Sequence, residues 1–166
     1  MEKTAILSAS DIEIRTERIA FQILEDHYKE EHLFLVGILP NGKSFAEDLS
    51  QYIKKEIPNI NCTLVTAHTS NKNSSDASVE FSIDINDFKD KCVIVVDDVL
   101  NSGKTMAAVL KEVFKMSPKR VKTAVMVERA YKDFPITANY KGLEINTNIK
   151  DHIEVHLTEP KSAWLI

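Results

Sequence analysis

The most informative segment of the chain is Val93–Thr105, which reads VIVVDDVLNSGKT. It starts with four consecutive β-branched apolar residues, a pattern typical of a buried strand in a parallel sheet. Two adjacent carboxylates, Asp97 and Asp98, come where that strand should end, and a helix is predicted to begin near Lys104. Ligands of α/β proteins bind at the carboxyl ends of the sheet strands. The segment therefore predicts a parallel sheet and also the place where a ligand binds.

The flanking sequence repeats this alternation of strand and helix. The predicted strands are 33–39, 61–67, 92–96, 121–127 and 153–157, and the predicted helices are 11–31, 43–57 and 104–116. Residues 79–85 alternate apolar and polar side chains, which predicts a half-exposed antiparallel strand. The alternation predicts an α/β fold with a mostly parallel central sheet and helices on both faces. We expect one domain over residues 1–166, with a small hood formed from the N-terminal residues and about 130–150.

Composition excludes several classes of protein. The chain has 166 residues, of which 43% are hydrophobic and 28% charged, and this excludes a disordered tail or a coiled coil. A net charge of -4 argues against a general nucleic-acid coat, which needs a basic field. Cys62 and Cys92 lie in apolar runs, so we expect buried thiols rather than a disulfide or a metal pair. Since neither a leader peptide nor a membrane-spanning run is recognisable, we expect a cytoplasmic protein without membrane contact.

The loop between the acid pair and the following helix has the features of a phosphate site. A helix N-terminus offers unpaired N–H groups, Gly103 permits close backbone approach, and Ser102 and Thr105 add hydroxyl donors. Its GKT ending suggests the loop G-x-x-x-x-G-K-[ST] of nucleoside triphosphatases. Asp98 stands where that loop requires its first glycine and would repel a triphosphate, which excludes such an enzyme. A plainer alternative is two solvated aspartates that cap a helix.

The same segment resembles the signature of the type I phosphoribosyltransferases: four apolar residues, an acidic pair, and a short loop ending in glycine and a hydroxyl residue. The resemblance implies that Asp97 and Asp98 are catalytic and bind the 2- and 3-hydroxyls of the ribose of phosphoribosyl pyrophosphate. It further implies that the 5-phosphate is wrapped by Val99, Leu100, Asn101, Ser102, Gly103, Lys104 and Thr105. The implied cofactor is Mg²⁺, which is coordinated by oxygens of the substrate. Asp97 and Asp98 contact the ion through ribose hydroxyls or water.

Two further loops have counterparts in that family. The pyrophosphate loop of the family resembles Leu39, Pro40, Asn41 and Gly42 and often contains a cis peptide. Because a cis bond costs far less before proline than elsewhere, we predict that Leu39–Pro40 is cis; the alternative is an ordinary turn in which Asn41 caps a helix. The polar stretch 68–78 is the candidate flexible loop, which closes to exclude water. Its candidate residues are His68 and Lys72.

The C-terminal part of the sequence narrows the choice of nucleobase substrate. Residues 127–147, VERAYKDFPITANYKGLEINT, resemble the pyrimidine-operon regulator family, which also has uracil phosphoribosyltransferase activity. The implied reaction is transfer of phosphoribosyl to a pyrimidine such as uracil, with release of pyrophosphate. Two alternatives stay open: a nucleotide-sensing regulator of pyrimidine genes that binds RNA, and a purine salvage phosphoribosyltransferase. The 6-oxopurine enzymes commonly carry an aspartate as a proton acceptor where this chain has Asn101, and asparagine cannot take that role.

The sequence also suggests residues that recognise the base and surfaces that associate with other molecules. Arg129, Tyr140 and Asn148 are the candidates for contacting the base or the leaving group. As alternatives, Arg129 pairs with a neighbouring acid, Glu128 or Asp133, and Tyr140 packs under the hood. RNA binding would need a basic face, for which the dense cluster is Lys111, Lys115, Lys119, Arg120 and Lys122. The family resemblance implies a homodimer or higher homo-oligomer, and the apolar C-terminus 163–166 either serves such a contact or folds back on its own core.

Overall fold

The computed structural model describes residues 3–70, 77–148 and 151–166. Within them three helices and nine strands follow one another along the chain. The helices are α1 (Ala9–His27), α2 (Asn41–Glu56) and α3 (Lys104–Phe114). The strands are β1 (Thr4–Leu7), β2 (His32–Ile38), β3 (Asn61–Thr69), β4 (Val79–Phe81), β5 (Cys92–Leu100), β6 (Arg120–Arg129), β7 (Tyr140–Ile145), β8 (Ile153–His156) and β9 (Ser162–Leu165).

A six-stranded sheet in the order β4-β3-β2-β5-β6-β7 forms the centre of the molecule. Its strands are parallel except β4, which runs antiparallel to β3. Alternate residues of β5 pack on opposite faces: Ile94 belongs to the core under α1 and α2, and Val95 to the core under α3. Because both faces are covered, the strand is apolar without interruption. The prediction of an α/β fold with a mostly parallel sheet is confirmed.

A second, three-stranded antiparallel sheet has the order β1-β9-β8. It joins the N-terminal residues to the C-terminal ones, so the apolar C-terminus folds back as β9. The prediction that about 130–150 belongs to the hood is wrong for Tyr140–Ile145, which forms the parallel edge strand of the central sheet. That strand is only partly buried, and its apolar pattern is correspondingly weak.

Two strands end four residues away from their predicted ends. β5 continues past residue 96 to Leu100, because its pairing with the long β6 extends through Leu100 and Glu128. β4 ends at Phe81 rather than 85, and a 3-10 helix follows at Ile85–Phe88. The Asp84 carboxylate accepts the N–H of Asn86 at 2.9 Å, which favours this turn over an extended chain.

The cysteines and the helices bear on two further expectations, one about thiols and one about membrane-spanning segments. Cys62 and Cys92 are buried free thiols, as predicted. Burial raises the pKa of both thiols, so neither has the character of a reactive thiolate. Within the described residues, no helix combines the length and apolar character that crossing a bilayer requires.

Candidate active site

A cleft of about 680 Å³ opens at the carboxyl ends of β2 and β5. These strands are parallel neighbours, with Gly37 of β2 beside Val96 of β5, so the loops that follow them emerge at the same edge of the sheet. The third wall is β8 of the small sheet. The lining residues are Ile38–Asn41, Asp97–Val99, Asn101, Ser102, Thr105 and His152–His156.

The acid pair is held in place by hydrogen bonds. One oxygen of Asp97 accepts the N–H of Asp98, and one oxygen of Asp98 accepts the N–H of Val99, both at 2.9 Å. The other Asp98 oxygen accepts the side-chain amide of Asn41 at 2.8 Å. This last bond joins the two loops that were predicted separately. The alternative of helix-capping aspartates does not describe the structure, since α3 begins beyond Leu100, at Lys104, and has no side-chain cap.

The turn between β2 and α2 has the predicted cis bond at Leu39–Pro40. Asn41 is the first residue of α2, and no side chain caps that helix. Gly42 lets the helix start lie against β5, because a Cβ atom on Gly42 would be 2.4 Å from the carbonyl oxygen of Val96. The glycine therefore sets the distance between this turn and the acid pair.

Replacing Gly42 with alanine should destabilise the protein by about 2 kcal/mol, because the added Cβ meets backbone that cannot rotate away. Denaturant unfolding followed by circular dichroism measures this change in free energy. The matched control is Lys43→Ala, at the next position of the same helix, where the exposed side chain forms a 3.7 Å ion pair with Glu47. Equal unfolding free energies for the two variants would contradict the close-approach argument.

The predicted 5-phosphate loop lies along the floor of the cleft. Val99, Asn101, Ser102 and Thr105 line it, whereas Leu100 and Gly103 are buried and Lys104 begins α3. Gly103 has a φ of 85°, in the left-handed region that favours glycine. The Ser102 carbonyl accepts the N–H of Phe134 at 3.0 Å. The segment after β6 therefore supports this loop from outside.

Arg129 lies at the end of β6, beside an adjoining cavity of about 340 Å³. Its guanidinium donates to Asn101 Oδ1 at 2.8 Å, to Thr147 Oγ1 at 2.8 Å and to the Asn148 carbonyl at 2.9 Å. The alternative of a pair with Glu128 is wrong, because that carboxylate accepts from two lysines instead. The cavity is lined by Asn101, Ser102, Arg129, Tyr131, Lys132 and Asp133.

The other predicted contacts lie elsewhere. Tyr140 as a base contact is wrong: the ring is buried in the core and its hydroxyl donates to Asp26 of α1. Burial, with that hydrogen bond, raises the pKa of the Tyr140 hydroxyl far above its ordinary range. Asn148 meets Arg129 through its backbone carbonyl. His68 is exposed on β3, opposite Glu80, and is not among the described residues that line the cleft; Lys72 lies outside the described residues.

Sequence reasoning missed His152, Glu154 and His156, which line the cleft from the small sheet. Glu154 accepts from Lys3 at 3.0 Å and lies 3.8 Å from the Nε2 of His156. The hydrogen bond from Lys3 lowers the pKa of the Glu154 carboxyl. The alternation HIEVH was visible in the sequence as a strand with one polar side. The pairing of β8 with β9 and the contacts of β8 with β5 bring that strand to the cleft.

The sequence of this chain is similar to those of one protein family. The model of the phosphoribosyl transferase domain family matches residues 2–160. The bifunctional protein PyrR of Fusobacterium nucleatum is 32% identical over 161 residues, covering 93% of this chain and 90% of that protein. The bifunctional protein PyrR of Clostridium novyi is 31% identical over 164 residues, covering 95% of this chain and 92% of that protein.

Solved structures resemble the fold at lower sequence identity. A hypoxanthine-guanine phosphoribosyltransferase from Bacillus anthracis has a TM-score of 0.80 at 22% identity, covering 98% of this chain and 96% of that chain. A hypoxanthine phosphoribosyltransferase from Trypanosoma cruzi, complexed with the product IMP, has a TM-score of 0.81 at 18% identity, covering 99% and 90%. At these identities the likeness concerns the fold alone.

Proposed function

Because this chain belongs to the phosphoribosyltransferase family, in the branch of the PyrR proteins, we propose that it transfers the phosphoribosyl group of phosphoribosyl pyrophosphate to a pyrimidine such as uracil. Pyrophosphate leaves, and Mg²⁺ is the cofactor. The observation that carries the proposal is the hydrogen bond from Asn41 to Asp98, which joins the turn after β2 to the acid pair after β5 in one cleft. Two separate segments of the chain thereby supply one substrate site.

The acid pair suits the reacting sugar. In this proposal the carboxylates of Asp97 and Asp98 accept hydrogen bonds from the two ribose hydroxyls beside the anomeric carbon. Loss of pyrophosphate makes that carbon cation-like, and fixed carboxylates nearby stabilise the positive charge. Backbone N–H groups already orient both side chains, so little reorganisation is needed when the sugar binds.

The loop after the acid pair suits the 5-phosphate. The start of α3 offers the positive end of the helix dipole, which favours an anion. Ser102 and Thr105 line the same part of the cleft and add hydroxyl donors. We therefore assign the 5-phosphate to Val99–Thr105 and the pyrophosphate to Leu39–Gly42.

The donor set of the cleft fits a magnesium ion. Carboxylate oxygens are ligands that Mg²⁺ prefers, and the ion usually keeps several ligands from water or substrate phosphates. Among residues 3–70, 77–148 and 151–166, no three His, Cys, Asp or Glu side chains form a metal site by themselves. Asp97 and Asp98 would therefore hold the ion together with substrate and water oxygens. When bound, it neutralises the charge that grows on the departing pyrophosphate.

Two lysines of the basic cluster considered for RNA are paired with acids. Lys115 pairs with Glu112 and Lys119 with Glu30, each at 2.8 Å. Arg120 donates to the carbonyl of Asp26 at 2.7 Å. The two ion pairs reduce the positive charge that this cluster offers to phosphates, and the proposal is therefore catalysis rather than RNA binding.

Incubating the whole chain with phosphoribosyl pyrophosphate, Mg²⁺ and single nucleobases tests the proposal. Uracil should support pyrophosphate release and formation of UMP, and EDTA should abolish both. The panel includes cytosine, hypoxanthine and guanine, with a reaction lacking base as control. Release no faster than that control with every base would overturn the proposed transfer. A preference for hypoxanthine or guanine would overturn its pyrimidine part.

A further inference from the structure

Helix α1 carries a row of exposed apolar side chains along its outer face. Ile14, Phe21 and Tyr28 are 64%, 43% and 62% exposed, and they are three of the seven large hydrophobic side chains exposed in the described part of the chain. Tyr28 follows α1 as its C-cap residue and keeps helical backbone angles. A spacing of seven residues is about two helical turns, so the three side chains form one row about 21 Å long. Ile19 and Ile23 on the opposite side of the helix are completely buried, which directs the row away from the core.

Two exposed residues of opposite charge border this row. Arg18 lies one turn before Phe21, and Glu25 lies one turn after it. The Nη2 group of Arg18 donates to the carbonyls of Lys141 and Gly142 in β7, at 2.8 Å and 2.9 Å. These bonds hold the guanidinium beside the row. Among the residues that the structure describes, nothing bonds to the Nε and Nη1 groups of Arg18 or to the Glu25 carboxylate.

We propose that the outer face of α1 is an interface between two copies of this chain, with the two α1 helices antiparallel and Phe21 close to a twofold axis. A closed dimer uses the same surface on both subunits, so each contact occurs twice. The antiparallel arrangement brings Ile14 against Tyr28 of the partner subunit. It also brings Arg18 against Glu25 of the partner subunit. The apolar row is thereby covered, and both charges gain a partner.

The positions of the two charges determine the direction of the pair. In a parallel pair about a twofold axis, each residue faces its own copy, so Arg18 would meet Arg18 of the partner subunit and like charges would repel. The antiparallel pair replaces these repulsions with attractions. A helix that lies on a membrane surface carries lysine and arginine along its apolar face, whereas Glu17 and Glu25 border the row here. Opposite charges on either side of one centre make the face complementary to itself, which favours a second copy as the occupant.

The row also has the composition of an interface centre. Aromatic side chains such as Phe21 and Tyr28 provide much of the binding energy at interfaces, and charged residues lie at the rim. A capping box between Ser8 and Asp11 and a buried inner face order α1 before any association, so little order has to be gained on binding. The other apolar candidate, 163–166, lies mostly in β9, the middle strand of the small sheet, where both neighbours are strands of the same chain.

Sedimentation velocity of the whole chain at a series of concentrations tests this interface. The wild type should dimerise, and Phe21→Glu should raise the Kd of the dimer at least about 30-fold, because two carboxylates then meet near the twofold axis. The matched control is Phe114→Glu, which introduces the same charge at an exposed phenylalanine of α3 and should leave the Kd unchanged. Circular dichroism checks that each variant is folded.

An exchange of charges tests the antiparallel direction. Glu25→Arg puts an arginine against Arg18 of the partner subunit at two places and should raise the Kd about tenfold. Adding Arg18→Glu to Glu25→Arg restores opposite charges at both places. The double variant should therefore return the Kd to within about threefold of the wild-type value.

Four results would overturn the inference. They are a wild-type chain that stays monomeric at every concentration, an equal Kd in Phe21→Glu and the wild type, equal weakening by Phe21→Glu and Phe114→Glu, and a double variant that associates no better than Glu25→Arg. The second result would assign association to another surface, and the third to apolar side chains in general. The measurement does not involve phosphoribosyl transfer, so its outcome is independent of the proposed reaction.

Discussion

Replacing Asp98 with asparagine should lower kcat/KM for phosphoribosyl transfer by at least about 100-fold and leave the fold intact. The change removes a negative charge from the cleft at the point where the sugar becomes cation-like. The amide oxygen of an asparagine can still accept the N–H of Val99, now at 2.9 Å from the carboxylate, and its NH2 group can donate to Asn41 once the Asn41 amide turns over. The loss should therefore be electrostatic rather than structural. Pyrophosphate release measures the rate, and thermal unfolding by circular dichroism measures the fold.

The matched control is Asp87→Asn in the 3-10 helix at Ile85–Phe88, an exposed carboxylate that does not line the cleft. It removes the same charge from the molecule as a whole, so its kinetics should resemble those of the wild type. If Asp98→Asn keeps more than about a tenth of the activity, the acid pair does not carry the electrostatic role assigned to it.

Replacing Glu128 with glutamine should destabilise the protein by about 3 kcal/mol. The side chain of Glu128 is 1% exposed and accepts from Lys132 Nζ at 2.5 Å and from Lys141 Nζ at 2.8 Å. A neutral amide at this place removes the acid that pairs with the 10% exposed Lys132 and leaves Lys141 with its pair to the exposed Glu144. Glu128 also accepts the N–H of Ala138 at 3.2 Å, so it connects β6 to the segment before β7. Denaturant unfolding measures the loss of free energy.

Glu144→Gln provides the control, because Glu144 accepts from the same Lys141 Nζ at 2.6 Å but is 53% exposed. An exposed ion pair is worth little, so this variant should lose less than about 0.5 kcal/mol. Similar losses for Glu128→Gln and Glu144→Gln would contradict the role given to burial.

The pH dependence of the unfolding free energy should also show the contribution of the Glu128 carboxylate. Burial raises the pKa of the Glu128 carboxyl, but the hydrogen bonds from Lys132 and Lys141 outweigh burial and bring it below the ordinary value of 4.5. Since the unfolded chain then binds the proton more tightly, the ionised group stabilises the fold above pH 4.5 and less as the pH falls through the folded-state pKa. The difference in unfolding free energy between wild type and Glu128→Gln should therefore shrink on acidification. A difference that grows would contradict this linkage.

Local sequence patterns were sufficient for the fold class and for the centre of the candidate site. Val93–Val96 predicted a buried parallel strand because both faces of such a strand must be apolar. The acid pair and the loop to Thr105 were predictable because catalytic loops follow the carboxyl ends of strands. The cis bond at Leu39–Pro40 was likewise predicted from the family resemblance of one short turn. Each of these depends on residues close together in the chain.

The predictions that went wrong concern residues whose partners are distant in the chain. The sequence is compatible with Tyr140 as a base contact and with Tyr140 as a core residue. Its contact with Asp26, 114 positions earlier in the chain, shows that it belongs to the core. The chain position of β8 does not reveal that His152 and Glu154 line the cleft. Edge strands such as β7 are half-buried, which weakens the periodicity on which a prediction rests.

The amino-acid sequence alone thus determined the parallel sheet, the acid pair at the end of β5 and the two loops beside it, because strand periodicity and loop chemistry are local properties. Tertiary structure alone decided what surrounds them. It brings Asn41 to Asp98 across 57 positions and Arg129 to Asn101 across 28, at 2.8 Å in each case. Such contacts depend on which strands lie side by side, and strand order follows from packing of the whole chain rather than from any one segment.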